Sequence, residues 1–194
     1  IILRANGKSF SAGADLEWMK TAAGFTYQEN IDDAQALANM LYTLNTFPVP
    51  SIALAQGFAC GGAIGLLSCC DIVVACPKVE FALTEVKIGL IPGVISPYVI
   101  AAIGERQARR YFLTGERFDA LKAQQLGLVS EIVLPELADD KLESFIALLL
   151  QNGPAAMSEA KKLIAHVANR PLDKVLLDKT SALIAHIRRS DEGQ

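Results

Sequence analysis

Apolar positions recur at helical spacing through residues 26–46, where Ile31, Ala34, Leu37, Ala38, Met40, Leu41 and Leu44 share one side, and Phe47-Pro48-Val49-Pro50 stops the run. Short apolar runs at 1–4, 51–56, 71–75 and 80–83, punctuated by turn residues such as Asn, Gly and Pro, predict strands. Between them, residues 15–20, 62–70, 95–103, 105–113 and 121–126 predict helices, with Gly104 as the break between the third and fourth. A repeated order of strand, turn and helix requires crossover connections and therefore an α/β core. From Leu137 onward the pattern is helical alone, at 142–151, 155–169 and 172–188, separated by Gly153-Pro154 and Pro171. The expected organisation is a core of residues 1–134 and a helical subdomain of residues 135–194.

Composition narrows the class. The 194 residues are 52% hydrophobic and 20% charged, enough for one buried core with a helical appendage. No apolar stretch reaches the roughly 18 residues of a bilayer span, so no membrane partner is expected. A formal charge of −3 without a basic block argues against nucleic acid as a partner. Cys60, Cys69, Cys70 and Cys76 lie in or beside apolar runs, without CxxC pairs or companion histidines. They are expected to be buried, reduced thiols in a cytoplasmic protein, with no metal site. Ile1-Ile2-Leu3-Arg4 lacks an initiator Met and reads as the interior of a strand, so further strands are expected to precede it.

Two glycine-bearing segments, Ser11-Ala12-Gly13-Ala14-Asp15-Leu16 and Gly57-Phe58-Ala59-Cys60-Gly61-Gly62-Ala63, each lie between a β-like and a helix-like run. Each can aim backbone N–H groups at one point, and a pair of such donors can hold a developing oxyanion. Ala14 and Gly62 are the candidate donors. Glycine pairs also serve close helix packing, and both uses stay open here. Glu85 lies among Leu83, Val86, Ile88 and Leu90. Burial there would raise its pKa and suit it to moving protons near neutral pH; the alternative is a surface carboxylate on a strand edge. His166 and His186 sit amid apolar residues of the terminal helices, where packing explains them better than catalysis.

Taken in order, Lys8-Ser9-Phe10-Ser11-Ala12-Gly13-Ala14-Asp15-Leu16, Gln56-Gly57-Phe58-Ala59-Cys60-Gly61-Gly62, Cys70-Asp71-Ile72, the run 85–93, Ile103-Gly104, Leu113-Thr114-Gly115-Glu116-Arg117-Phe118 and the run 123–129 closely resemble the crotonase superfamily of enoyl-CoA hydratases and isomerases. The resemblance covers nearly the whole chain. It implies the ClpP/crotonase α/β fold of repeated ββα units with a C-terminal helical subdomain, assembled as a homotrimer or homohexamer, and an N-terminal strand region and C-terminal tail beyond this sequence. It assigns Ala14 and Gly62 to the oxyanion hole and Glu85 to acid/base work on a later strand. Lys8 would meet a coenzyme A phosphate, and the backbone of Ala12 the adenine. The substrate would be an acyl-CoA, with coenzyme A entering as part of it and no separate cofactor.

Hydratases of that superfamily usually carry a second glutamate three residues after the oxyanion glycine, where this chain has Gly65. The resemblance is nearest to a subgroup assigned to branched, carboxylated enoyl-CoAs, such as methylglutaconyl-CoA in leucine degradation or carboxygeranoyl-CoA, which also lacks the second glutamate. The expected activity is reversible hydration of a 2-enoyl-CoA. The alternatives are an enoyl-CoA isomerase using one glutamate and a non-catalytic acyl-CoA-binding protein. Ser96 and Tyr98 are candidates for the acyl pocket, and Glu105 for an assisting acid.

Overall fold

A computed structural model describes residues 1–194 and divides into two compact units, Ile1–Asn45 with Ser51–Leu142, and Thr46–Pro50 with Glu143–Gln194. In the first unit, β1 (Ile2–Arg4) runs into a loop that ends at α1 (Leu16–Ala22). Asp15 caps that helix by accepting from the backbone N–H groups of Glu17 and Trp18 at 2.8 and 2.9 Å, which is why the helix starts one residue later than its pattern predicts. The long periodic segment forms α2 (Tyr27–Thr46). Then come β2 (Ile52–Ala55), β3 (Phe58–Cys60), α3 (Gly62–Cys69), β4 (Ile72–Ala75) and β5 (Glu80–Ala82). A 3-10 turn at Glu85–Ile88 leads to α4 (Ser96–Thr114), followed by β6 (Arg117–Asp119), α5 (Ala120–Leu126), β7 (Glu131–Ile132), a second 3-10 turn at Pro135–Leu137 and α6 (Ala138–Leu150).

The strands form two sheets. One is fully parallel in the order β1-β2-β4-β7, with Ile2 opposite Ile52 and Ile52 opposite Ile72. The other pairs β3 with β5 in parallel and β5 with β6 antiparallel. Twice in succession, a first strand joins the parallel sheet, the next joins the second sheet, and a helix follows: β2, β3, α3 and then β4, β5, α4. This is the expected repeated ββα core. All four residues of β2 are buried, as parallel strands covered on both faces require. Gly104, at φ 76° and ψ 154°, kinks α4 where a helix break is predicted.

The core collects Ile64 and Leu67 of α3, Val99, Ile103 and Tyr111 of α4, and the rings of Phe81 and Phe118, stacked 5.4 Å apart. Three of the four cysteines are buried and Cys70 is half-buried, with no disulfide among them; burial, with Cys70 beside it, pushes Cys69 up to about 12. No helix is long and apolar enough to cross a membrane.

One polar contact pins the starts of two central strands. Ser51, fully buried just before β2, donates its backbone N–H and its hydroxyl to Asp71 Oδ2 at 2.7 and 2.9 Å. Its carbonyl in turn accepts from the N–H groups of Asp71 and Ile72 at 3.0 and 3.1 Å. Asp71, conspicuous in the sequence, therefore holds β2 and β4 in register.

In the second unit, α7 (Pro154–Val167) and α8 (Lys174–Ile187) form a helical pair. Glu192 caps the start of α7, accepting from the N–H groups of Ala155 and Ala156 at 2.9 and 2.8 Å. His166 lies on this pair with its Nδ1 3.4 Å from Lys179 Nζ, a helix-surface contact.

Replacing Asp71 by Ala strands the buried Ser51 amide and hydroxyl. The expected loss is about 1–3 kcal/mol of stability, measured as a lower urea midpoint with an unchanged denaturant slope.

Candidate active site

The site grows from the end of β3. Beyond Cys60 the chain turns through Gly61, at φ 57° and ψ −119°, and enters α3 at Gly62. The Gly61 N–H donates to Ala82 O at 2.9 Å, extending the β3–β5 ladder by one bond. Any side chain at Gly61 would be both strained and obstructed, because its Cβ would stand 3.1 Å from Glu85 Oε1. The carboxyl of Glu85 thus lies over the main chain at the head of α3. No side chain caps this helix, so the positive end of its dipole and its first amides remain available.

Glu85 opens the 3-10 turn after β5 and is not a strand residue, which corrects the expectation for it. The cause is local: pairing along β5 ends at Ala82, and Lys87 N–H folds back onto Thr84 O at 2.9 Å. Glu85 is half-buried, yet its Oε2 is buried and has no hydrogen-bond partner. Burial raises the carboxyl's pKa above its ordinary value, opposed by its own backbone N–H. A buried carboxyl oxygen without a partner calls for an explanation, and a role in proton transfer is one.

The first glycine segment reaches the same place by pairing. Phe10 N–H donates to Gln56 O at 2.8 Å, Ser11 N–H to Phe58 O at 3.0 Å, and Cys60 N–H to Ser11 O at 3.0 Å. Ser11 and Ala59 form a parallel bridge, and Ala14 and Gly62 each follow three residues after that bridge. Ala14 and Ala12 are exposed on the loop ahead of α1. Lys8 is exposed as well, and its carbonyl presses on Gly57, where a Cβ would run into it; at φ 64° that position needs glycine twice over.

Residues 1–193 match the family model described as Enoyl-CoA hydratase/isomerase. The chain belongs to that family. A putative enoyl-CoA hydratase of Thermus thermophilus is 32% identical over 164 residues, covering 84% of this chain and 65% of that protein. The 2,3-dehydroadipyl-CoA hydratase of Escherichia coli is 30% identical over 164 residues, covering 84% of this chain and 62% of its own length. The chain therefore spans somewhat less than two thirds of these curated relatives. Among solved structures, an enoyl-CoA hydratase from Shewanella pealeana superposes with a TM-score of 0.96 at 49% identity, over 100% of this chain and 72% of that one.

Against this enoyl-CoA hydratase/isomerase background, Gly65 is more than a missing side chain. It is buried one helical turn beyond Gly61, and Ile95 fills the space in front of it: a Cβ at Gly65 would come within 2.8 Å of Ile95 Cβ and closer still to its Cγ2. Sequence reasoning did not find this contact, which joins residues thirty positions apart. Ser96 closes the turn ahead of α4 by donating to Gly93 O at 2.7 Å. Tyr98, its phenol pushed up by burial, lies near Cys69 and Tyr42. Glu105 is exposed beyond the kink of α4 and pairs with Arg109 at 3.6 Å. None of these three is brought onto the Glu85 carboxyl by a hydrogen bond.

A raised native pKa means that the folded protein holds the Glu85 proton more tightly than the unfolded chain. Its stabilising contribution is complete below the ordinary carboxylate value of 4.5 and is lost as pH rises through the native value. Glu85→Gln cannot ionise. It should therefore be more stable than wild type at pH 7, with the difference shrinking toward pH 4 in paired denaturation curves.

Proposed function

We propose that this chain carries the reacting centre of an acyl-CoA lyase that reversibly hydrates a 2-enoyl-CoA, with Glu85 as the acid/base and the N–H groups of Ala14 and Gly62 as oxyanion donors. The observation that carries this reading is the buried, unpartnered Oε2 of Glu85 beside an uncapped helix start. A thioester carbonyl bonded to the two amides becomes more electron-withdrawing, so the β-carbon accepts a nucleophile. Glu85 takes a proton from water as the water oxygen bonds to that carbon, and the C=C electrons move onto the thioester oxygen. The same carboxyl then returns its proton to the α-carbon, and water has been added across the double bond. Each oxyanion donor in such sites is worth about 2.7–4 kcal/mol. Lys8 and the Ala12 backbone would meet the coenzyme A phosphate and adenine. The substrate brings that group with it, and the mechanism calls for no other cofactor.

A branched or carboxylated acyl group is the substrate class we favour. Ser68-Cys69-Cys70-Asp71 and Ile91-Pro92-Gly93-Val94-Ile95-Ser96-Pro97, which resemble the subgroup assigned to such substrates, support it, and so does the likeness to a hydratase whose name specifies 2,3-dehydroadipyl-CoA, a carboxylated enoyl thioester. One observation favours a second reading. With Ile95 packed against Gly65, the centre holds one carboxyl and an apolar wall, an arrangement suited to moving a single proton along the acyl chain in an isomerisation.

Mass spectrometry separates the two reactions. Full-length protein incubated with crotonyl-CoA, 3-methylglutaconyl-CoA and a 3-enoyl-CoA should yield a product heavier by one water from at least one 2-enoyl substrate. Product at unchanged mass marks isomerisation, and no turnover of any substrate overturns both readings. Glu85→Gln should lower kcat by about 10²–10⁴-fold while leaving acyl-CoA binding nearly intact, as calorimetry would show.

A further inference from the structure

Thr84 stands at the N-cap of the turn that bears Glu85, a position where a threonine hydroxyl ordinarily accepts from an amide of the turn it begins. It makes no such cap. Its Oγ1 lies instead 3.1 Å from Sγ of Cys60, the buried last residue of β3. The hydroxyl and thiol therefore join the residue just before Glu85 to the residue just before Gly61. These are the chain neighbours of the two groups whose contact builds the centre.

We infer that Thr84 is a positioning residue for Glu85: its hydroxyl, tied to the Cys60 thiol, holds the turn against β3 so that the carboxyl stays over Gly61 with one oxygen turned inward. The inference rests on the acid/base role proposed for Glu85. Backbone pairing between β3 and β5 reaches only to the Cys60–Ala82 pair and the Gly61 N–H bond to Ala82 O. Beyond it, Lys87 N–H bonds Thr84 O at 2.9 Å and Leu90 N–H bonds Glu85 O at 3.0 Å, which close the turn on itself without fastening it to the strand. The Thr84–Cys60 contact supplies that fastening. It is a weak bond in energy, but displacements of about 1 Å at a reacting group can slow chemistry by about 10²-fold.

The groups facing Glu85 leave its protonation to burial. α3 carries no charged residue, and Lys87, on the same turn, is exposed. α4 packs on the turn and carries Glu105, Arg106, Arg109 and Arg110, yet the balance on Glu85 is burial against its own backbone N–H. A loosened turn would let the carboxyl meet water and move its pKa down toward the ordinary range.

The test uses the full-length protein as wild type, Thr84→Val, Thr84→Ser, Cys60→Ala and the Thr84→Val/Cys60→Ala double variant. Valine keeps the shape and loses the hydroxyl. Thr84→Val is expected to lower kcat by about tenfold or more with KM nearly unchanged and the acidic limb of the pH profile moved to lower pH, and Thr84→Ser to restore both. The double variant should be no worse than the poorer single one, because both break the same contact. Independently of turnover, a carbon-13 titration of the Glu85 carboxyl should give a lower midpoint in Thr84→Val than in wild type. An unchanged midpoint, or losses that multiply in the double variant, overturns the inference. Should Thr84→Val not fold, the same titration on Cys60→Ala decides it. An inactive wild type with a shifted Thr84→Val midpoint would sink the proposed function while leaving the positioning role standing.

Discussion

The pairing of β3 with neighbours on both sides is the constraint on which the site depends. On one side, its register with β5 fixes where Ala82 ends and hence where the turn bearing Glu85 begins. On the other, the Ser11–Ala59 bridge brings the loop holding Ala12 and Ala14 alongside the same three-residue strand. Three segments far apart in the chain thus converge through backbone hydrogen bonds, with the Thr84–Cys60 contact carrying the turn past the end of the ladder. A slip of one residue in β3 would turn its side chains over and separate Gly61 from the carboxyl that lies on it.

That convergence explains how a carboxylate oxygen can stand buried without a partner. Such an atom costs free energy and persists only where the surroundings hold it. Here the surroundings are a mostly buried strand, a helix packed through glycine, and a turn closed by its own hydrogen bonds. The uncapped start of α3 lies beside it, and the proposed oxyanion and acid/base roles rest on that juxtaposition.

Much of this was legible in the sequence because periodicity and turn chemistry act locally. The long helix 27–46, the β2 and β4 strands, the Gly104 break and the three terminal helices all announce themselves within a dozen residues of their own pattern. What escaped was either too short or too distant. β3, β6 and β7 are only two or three residues long, and pairing rather than propensity makes them strands. The resemblance places Glu85 on a strand, and its apolar neighbours do not reveal that the β5 ladder stops at Ala82 and a 3-10 turn begins. Asp71 read as part of a family motif, and only the folded chain shows it bonded to Ser51, twenty residues earlier. Ile95 and Thr84 act through partners that no spacing rule would connect to them.

The packing of Ile95 on Gly65 also bears on how such a centre can change over time. An acidic side chain at position 65 would force a buried isoleucine at the head of α4 to move, since even its first carbon would collide with it. The isoleucine would have to shrink beforehand, leaving a void beside the core until the new side chain arrived. Either change made alone is thus penalised, by a collision in one order and by a void in the other.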